Sequence, residues 1–281
     1  MRILKDKKIE GILRCPICKE KMTVPEGRAS LVCQGPRTHC YDFAASGYVN
    51  MASPHQSGGG DSKSAVRARS AFLDKQYYAP VANALAELAE KHGRADGVLL
   101  DAGCGEGYYA TRLADKGFSV VGADLSKFAV DAASKRLSRE EFDRFLFATA
   151  SVYELPVADS SVSVVTNVFA PCAEEEYTRV LEDGGVLIVA WAGENHLLGL
   201  KKAIYDTAHT NSDRADMPQK LKKVDEIRMT YTIELEGNED VKSLFAMTPY
   251  YWRTSPSDMQ KLDNIERLVT EVDIILSVYK K

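Results

Sequence analysis

The stretch Val98-Leu99-Leu100-Asp101-Ala102-Gly103-Cys104-Gly105-Glu106-Gly107 decides the fold. Its first half is an apolar run that ends in a carboxylate and reads as a strand over 98–101. Its second half has glycine at every other position, which lets the backbone turn tightly and approach a ligand closely. A helical period follows over 108–116. Outward from this unit the pattern keeps alternating. Strands are predicted at 119–123, 145–148, 162–168 and 186–191, and helices at 127–137, 174–181 and 194–208. Such alternation implies an α/β fold with a parallel sheet covered on both faces. Residues 228–236 and 272–278 read as late strands at an antiparallel edge. Upstream, 64–92 reads as helical, with Pro80 near the start of a run whose Val81, Leu85, Leu88 and Ala89 share a face. There is no internal repeat.

A second signature lies ahead of the first. Cys15-Pro16-Ile17-Cys18 is followed by Cys33 and by the adjacent His39 and Cys40, so four of the six cysteines fall within 26 residues. The N-terminal residues 1–8 lack an apolar signal core, and no run approaches the ~18 apolar residues of a membrane span. A cytoplasmic location with reduced thiols, and no membrane partner, is therefore expected, and the cluster reads as a metal site rather than as disulfides. Zinc takes four thiolate or imidazole ligands in a tetrahedron, and a site with no open position is structural. Cys15 and Cys18 form a turn-borne pair, and Cys33 opens the second pair. His39 and Cys40 compete for the last position, since neighbouring side chains cannot easily reach one ion. So small a core draws much of its folding free energy from the metal.

The 281 residues suffice for one large domain and a small one, and 45% hydrophobic with 27% charged content allows an ordinary packed core. A net charge of −4 argues on its face against nucleic acid. The distribution argues otherwise: residues 1–75 hold 13 Lys+Arg against 7 Asp+Glu, a net of +6, which leaves −10 for the rest. A basic front end on an acidic body fits a substrate-binding N-terminal part.

The glycine spacing separates two ligand classes. Nicotinamide sites use G-x-G-x-x-G, whereas G-x-G-x-G resembles the first motif of class I methyltransferases, which bind S-adenosylmethionine. Asp124, at the end of the next strand, stands where a carboxylate grips ribose hydroxyls, with Leu125 beside it. Ser151, in Ser151-Val152-Tyr153-Glu154-Leu155-Pro156, occupies a position where many relatives carry Asp, and can bond an adenine edge. The loop Asn167-Val168-Phe169-Ala170-Pro171-Cys172 lies beside the transferable methyl in this superfamily, and Phe169 there either stacks on a base or fills the core. The candidate donor-binding set is Asp101, Gly103, Cys104, Gly105, Glu106, Gly107, Asp124, Leu125, Ser151 and Asn167. Cys104 reads as a small spacer, and Cys172 is not needed as a nucleophile for methylation at an exposed nitrogen.

With these motifs placed, the chain resembles the RlmA-type 23S ribosomal RNA (guanine-N1) methyltransferases from Cys15 to near its C-terminus. The resemblance is carried by Cys15-Pro16-Ile17-Cys18, His39, Asp42, Gly47-Tyr48-Val49-Asn50, Gly60-Asp61-Ser62, Ala68-Arg69-Ser70-Ala71-Phe72-Leu73 and Tyr78. It continues through Gly103 to Tyr109, Ala170-Pro171-Cys172, His196-Leu197 and Met247-Thr248-Pro249. It implies a Rossmann-like class I sheet with a small N-terminal zinc-binding module, a structural Zn2+ on Cys15, Cys18, Cys33 and His39, and Tyr78 and His196 at the donor. It also implies a 23S ribosomal RNA hairpin or pre-ribosomal particle as substrate and a homodimer with a cleft between donor domain and module. The expected organisation is an N-terminal extension at 1–14, the zinc-binding module at 15–52, a linker and helix at 53–75, and an S-adenosylmethionine-dependent methyltransferase domain at 76–281. RNA would meet the module and Arg14, Arg28, Arg37, Arg67 and Arg69. Glu106, Glu174 and Asp159 are carboxylates near the mouth by motif placement, and no residue stands out as the proton acceptor. A small-molecule methyltransferase with the zinc module as a lid is the competing reading, and it explains the basic module poorly. A zinc-dependent RNA-binding protein with a vestigial donor domain is the third, and the intact glycine loop and Asp124 speak against it.

Overall fold

The computed structural model describes residues 2–53, 60–212 and 217–281, so residues 54–59 of the linker expected within 53–75 lie outside the described residues. Helix α1 (Lys7–Ile12) is started by the Asp6 carboxylate, which accepts from the backbone N–H of Lys8 and Ile9. Strands β1 (Met22–Thr23), β2 (Ser30–Cys33) and β3 (Cys40–Asp42) form a small antiparallel sheet. Then come β4 (Val49–Asn50), α2 (Lys63–Leu73) and α3 (Ala79–His92). The predicted alternation follows as β5 (Val98–Ala102), α4 (Tyr108–Ala114), β6 (Ser119–Asp124), α5 (Lys127–Arg136), β7 (Phe145–Thr149), β8 (Val162–Val168), α6 (Glu174–Val180) and β9 (Leu181–Ala192). The chain ends with α7 (Leu198–Ile204), β10 (Lys222–Glu236), α8 (Asn238–Ala246), α9 (Pro256–Gln260) and β11 (Arg267–Lys280).

The large sheet runs β10-β11-β9-β8-β5-β6-β7-β4. All pairs are parallel except those made by β11, which is antiparallel to both β9 and β10. The two late strands are longer than predicted, and of these two β10 is the edge while β11 lies inside the sheet. Strand β5 is buried throughout, and its residues alternate between two cores: Leu99 joins one, and Val98, Leu100 and Ala102 the other. The chain leaves β5 for β6 and β7 on one side and returns to β8 on the other. That reversal opens a crevice at the carboxyl ends of the strands, the usual ligand site of open α/β sheets. Order and strand directions are those of the Rossmann-like class I methyltransferase sheet.

Three local differences from the sequence reading shape the site. The region 64–92 is two helices, because Pro80 fits the first turn of α3 but would break a helix running through it. The break contains Gln76 at φ +65° and turns Tyr78 inward. The helix predicted at 194–208 shrinks to α7, because the backbone N–H groups of Gly193 and Asn195 bond to Asp273 on β11 and Leu197 adopts a left-handed φ of +57°. Within 1–14, Leu4, Ile9 and Leu13 are buried in the core that holds Leu100, Val121 and Leu146. Leu13 bridges Val157, and Ser119 Oγ donates to Asp6. Met22, Leu31 and Phe43 of the cysteine module enter the same core, and β4, from the segment read as that module, adds to the large sheet beside β7.

Candidate functional site

A cavity of about 960 Å³ occupies the crevice, near the top of the roughly 300–1,000 Å³ range of small-molecule sites. Gly103, Cys104, Gly105, Glu106, Asp124, Leu125, Ser151, Tyr78 and His196 line it, so the structure brings most of the predicted donor residues together. Three it does not. Asp101 lies beneath the loop, 1% exposed, with one carboxylate oxygen accepting from Thr166 at 2.7 Å and the other without a partner. Asn167 instead ties down the following loop, donating to the Pro171 carbonyl and to Tyr177 Oη. Gly107 caps α4 at φ +80°, and a Cβ there would press on Ala133 at 2.9 Å.

The loop needs its glycines for space. At Gly103 (φ +80°) a Cβ would stand 2.4 Å from that of Ala170. Gly105 N–H donates to one Asp124 oxygen and Ser126 N–H to the other, which fixes the carboxylate at the end of β6. Asp61 is held over this turn by Ser126 Oγ, which donates to its carbonyl, and pairs with Arg69 at 2.5 Å. Arg69, expected among RNA contacts, therefore lines the cavity. Burial raises the Asp124 and Glu106 carboxyls and pushes Asp101 up to about 7. Of the other carboxylates considered, Glu174 accepts from the backbone of Lys220, and Asp159 pairs with Arg179 away from the cavity wall.

Opposite the glycine loop the wall is aromatic. His196 is neutral, its pKa lowered to about 4 by burial. Its Nδ1 accepts from the Asp273 backbone N–H at 3.3 Å, which places the ring proton on Nε2, 3.3 Å from Tyr78 Oη. Tyr78 Oη is then the acceptor of that proton. Phe169 stacks on His196 at 5.9 Å between centroids from a left-handed φ of +53°. Four aromatic side chains are prominently exposed among the described residues. Three of them, Trp252 (71%), Tyr153 (64%) and Phe169 (43%), line this cavity. Trp252 comes from the α8–α9 segment, which the sequence reading did not resolve; the only signal there was Met247-Thr248-Pro249.

The cavity suits the donor chemistry. Its lining includes the carboxylates of Glu106 and Asp124, Asp61 paired with Arg69, and the rings of Tyr78, Tyr109 and Phe169, and carboxylates and aromatic rings are groups that favour a sulfonium cation. The crowded glycine turn and the backbone-fixed Asp124 share one part of its wall.

The second cluster is metal-shaped. The ligand atoms of Cys15, Cys18, Cys33 and His39 all lie within 4.8 Å of one another. Cys18 and Cys33 Sγ are 3.8 Å apart, and His39 Nδ1 is 3.5 and 3.4 Å from Cys15 and Cys33 Sγ. A tetrahedron with Zn–S bonds of about 2.3 Å has edges of about 3.8 Å, and slightly less where nitrogen replaces sulfur. The set therefore fits a closed, structural zinc site. Cys40 starts β3 with its side chain exposed, which leaves the fourth position to His39. His39 N–H donates to Cys33 Sγ, and Tyr41 Oη lies 3.6 Å from Cys15 Sγ, outer partners that orient the thiolates. The knuckle adjoins the cavity rim: Lys19 pairs with Glu154, the neighbour of Tyr153.

A class I sheet with a glycine-turn cavity at its switch point defines a methyltransferase. The chain belongs to the methyltransferase-domain family Methyltransf_31, which matches residues 94–246. It is 28% identical to a Bacillus subtilis (strain 168) protein provisionally named 23S rRNA (guanine-N(1)-)-methyltransferase YxjB, over 95% of this chain and 97% of that one. It is also 28% identical to the 23S rRNA (guanine(748)-N(1))-methyltransferase of Streptomyces fradiae, over 91% of each. A protein of Micromonospora griseorubida, provisionally named 23S rRNA (guanine-N(1)-)-methyltransferase, is 29% identical over 87% of this chain and 88% of its own. No helix among the described residues is long and apolar enough to cross a membrane.

Proposed function

We propose that the protein transfers the methyl group of S-adenosylmethionine to N1 of a guanine in 23S ribosomal RNA. The observation that carries this is the exposed aromatic rim of Tyr153, Phe169 and Trp252 around a cavity that also holds the donor loop, with Lys19 of the metal module paired at its edge to Glu154. The relatives' names support the same substrate. Single-stranded RNA is read by splaying bases onto aromatic faces, and a small-molecule acceptor gives no reason to expose three rings.

In this reading Gly103, Cys104, Gly105, Glu106, Asp124, Leu125, Ser151, Tyr78 and His196 hold the donor. Asp101, Gly107 and Asn167 support the loops that do so. The bound donor supplies an already activated methyl group, so the protein's task is alignment. Asp124 grips the ribose and the glycine turn admits the chain close to the donor. His196 holds Tyr78 and backs Phe169, which offers its open face to the guanine. With its ring proton fixed on Nε2, His196 acts as a hydrogen-bond donor and not as the acceptor of the N1 proton. The cysteine module holds RNA beside the rim through phosphate contacts. The family resemblance adds a homodimer and a cytoplasmic setting.

The test is transfer of labelled methyl to unmodified bacterial 23S RNA, with digestion to nucleosides. Labelled 1-methylguanosine is expected. No label in naked RNA or in ribosomal particles, with donor binding intact, would return the case to a small-molecule acceptor.

A further inference from the structure

A second, smaller cavity of about 400 Å³ opens beside the first. The two share Ala246 and Trp252 in their walls, so Trp252 stands as the partition between them. The smaller cavity has an apolar floor of Phe245, Tyr251, Met259 and Leu262, laid between α2 and α8. Its rim is polar, with hydroxyls from Ser62, Ser64 and Ser243, the ammonium of Lys242 and the carboxylate of Asp263. Phe245, Tyr251 and Trp252 form a chain of edge-to-face rings, 5.4 and 5.0 Å between successive centroids. Packing thus braces Trp252 from behind while most of its surface is left open. Lys242 pairs with Asp263 at 2.8 Å, but both groups are about half exposed, so the lysine can exchange this partner for a phosphate at little cost.

We propose that the smaller cavity is a nucleotide subsite: it receives the base next to the target guanine on the same RNA strand, with Trp252 inserted between the two bases. The inference rests on the RNA-methyltransferase reading above. Its occupant follows from continuity with the donor cavity, from the pairing of an aromatic floor with a hydroxyl and ammonium rim, and from a volume in the range of small ligands. A base lies on Tyr251 and Trp252, and its phosphate meets Lys242. Wedging an aromatic ring between neighbours unstacks the target from the strand, which extrusion into an active site requires. Trp252 is then a positioning residue for the target guanine, since it holds the neighbouring base apart from it.

The experiment uses the hairpin that contains the mapped methylation site, and two versions with an abasic residue immediately 5′ or 3′ of the target. Wild type, Trp252→Ala and Ser64→Trp are compared for kcat/KM, and donor affinity by calorimetry reports that each variant is folded. With wild type, one of the two abasic RNAs is expected to lose about tenfold in kcat/KM, the scale of one lost stacked base. Ser64→Trp plugs the smaller cavity from its rim and should make intact and abasic RNA equally poor, as should Trp252→Ala. Equal handling of all three RNAs by wild type, or an abasic penalty that persists undiminished in Ser64→Trp, would overturn the subsite and leave the RNA reading standing. Failure of wild type to methylate any RNA while it binds donor would remove the RNA reading, and the subsite with it.

Discussion

Single residues set the chemistry through burial and reach. His196 and Asp101 make opposite predictions with pH. Burial holds His196 near 4, below its unfolded value, so the unfolded chain binds the extra proton between about pH 6.5 and 4. Stability should fall across that window as pH drops, by about 3 kcal/mol at most, and His196→Gln should flatten the slope in urea midpoints measured against pH. Asp101 is raised to about 7, so its native form keeps a proton that the unfolded chain has released. Its contribution is therefore lost as pH rises from about 4 to 7, and Asp101→Asn should remove that decline. Gly103→Ala forces a Cβ against Ala170 at a left-handed φ. It should cost about 1–3 kcal/mol in thermal unfolding and weaken donor binding. The glycine loop and Asp124 were legible in the sequence because their spacing is local and chemically constrained. Trp252 and the cavity side of Arg69 were not, because what exposes one and buries the other is tertiary: the packing of α8 against α2 and the pairing of Arg69 with Asp61.

At the scale of elements, the sheet works by holding loops. Asp273 of β11 binds Arg228 of β10 through both oxygens at 2.8 and 2.7 Å and also receives the Asn195 N–H, while its own N–H reaches His196. Asp273→Ala should destabilise by about 2 kcal/mol, less than for a fully enclosed pair because Arg228 can rehydrate. It should also weaken donor binding, which titration of the variant would show. Helix α1 gives a second case. Charge made 1–14 look like an extension, yet Ile9 on α1 and Leu13 just past its end are both buried. Ile9→Ala should lower the unfolding free energy obtained from urea titration by about 2–4 kcal/mol, the cost of a cavity in a close-packed core. A six-residue helix is too short for its period to declare itself, which is why only the completed sheet face reveals it.

At the scale of the molecule, the metal module and the donor sheet share one core. Stripping zinc with a chelator should therefore lower a single unfolding transition rather than melt a separate module first, and calorimetry distinguishes the two. The alternation of strands and helices announced the sheet, and the cysteine spacing announced the metal. The fusion of the two cores could not be read, because residues such as Leu31 and Phe43 carry no label of which surface they meet.

The pairing of Val49 with Ala148 has a consequence for biosynthesis. The segment that leaves the translating ribosome early waits for a partner made roughly a hundred residues later. Strand β11 must then slot between two strands already made. The nascent chain is left with open sheet edges until β11 has been made, and chaperone dependence during translation is the expected cost of so non-local a closure.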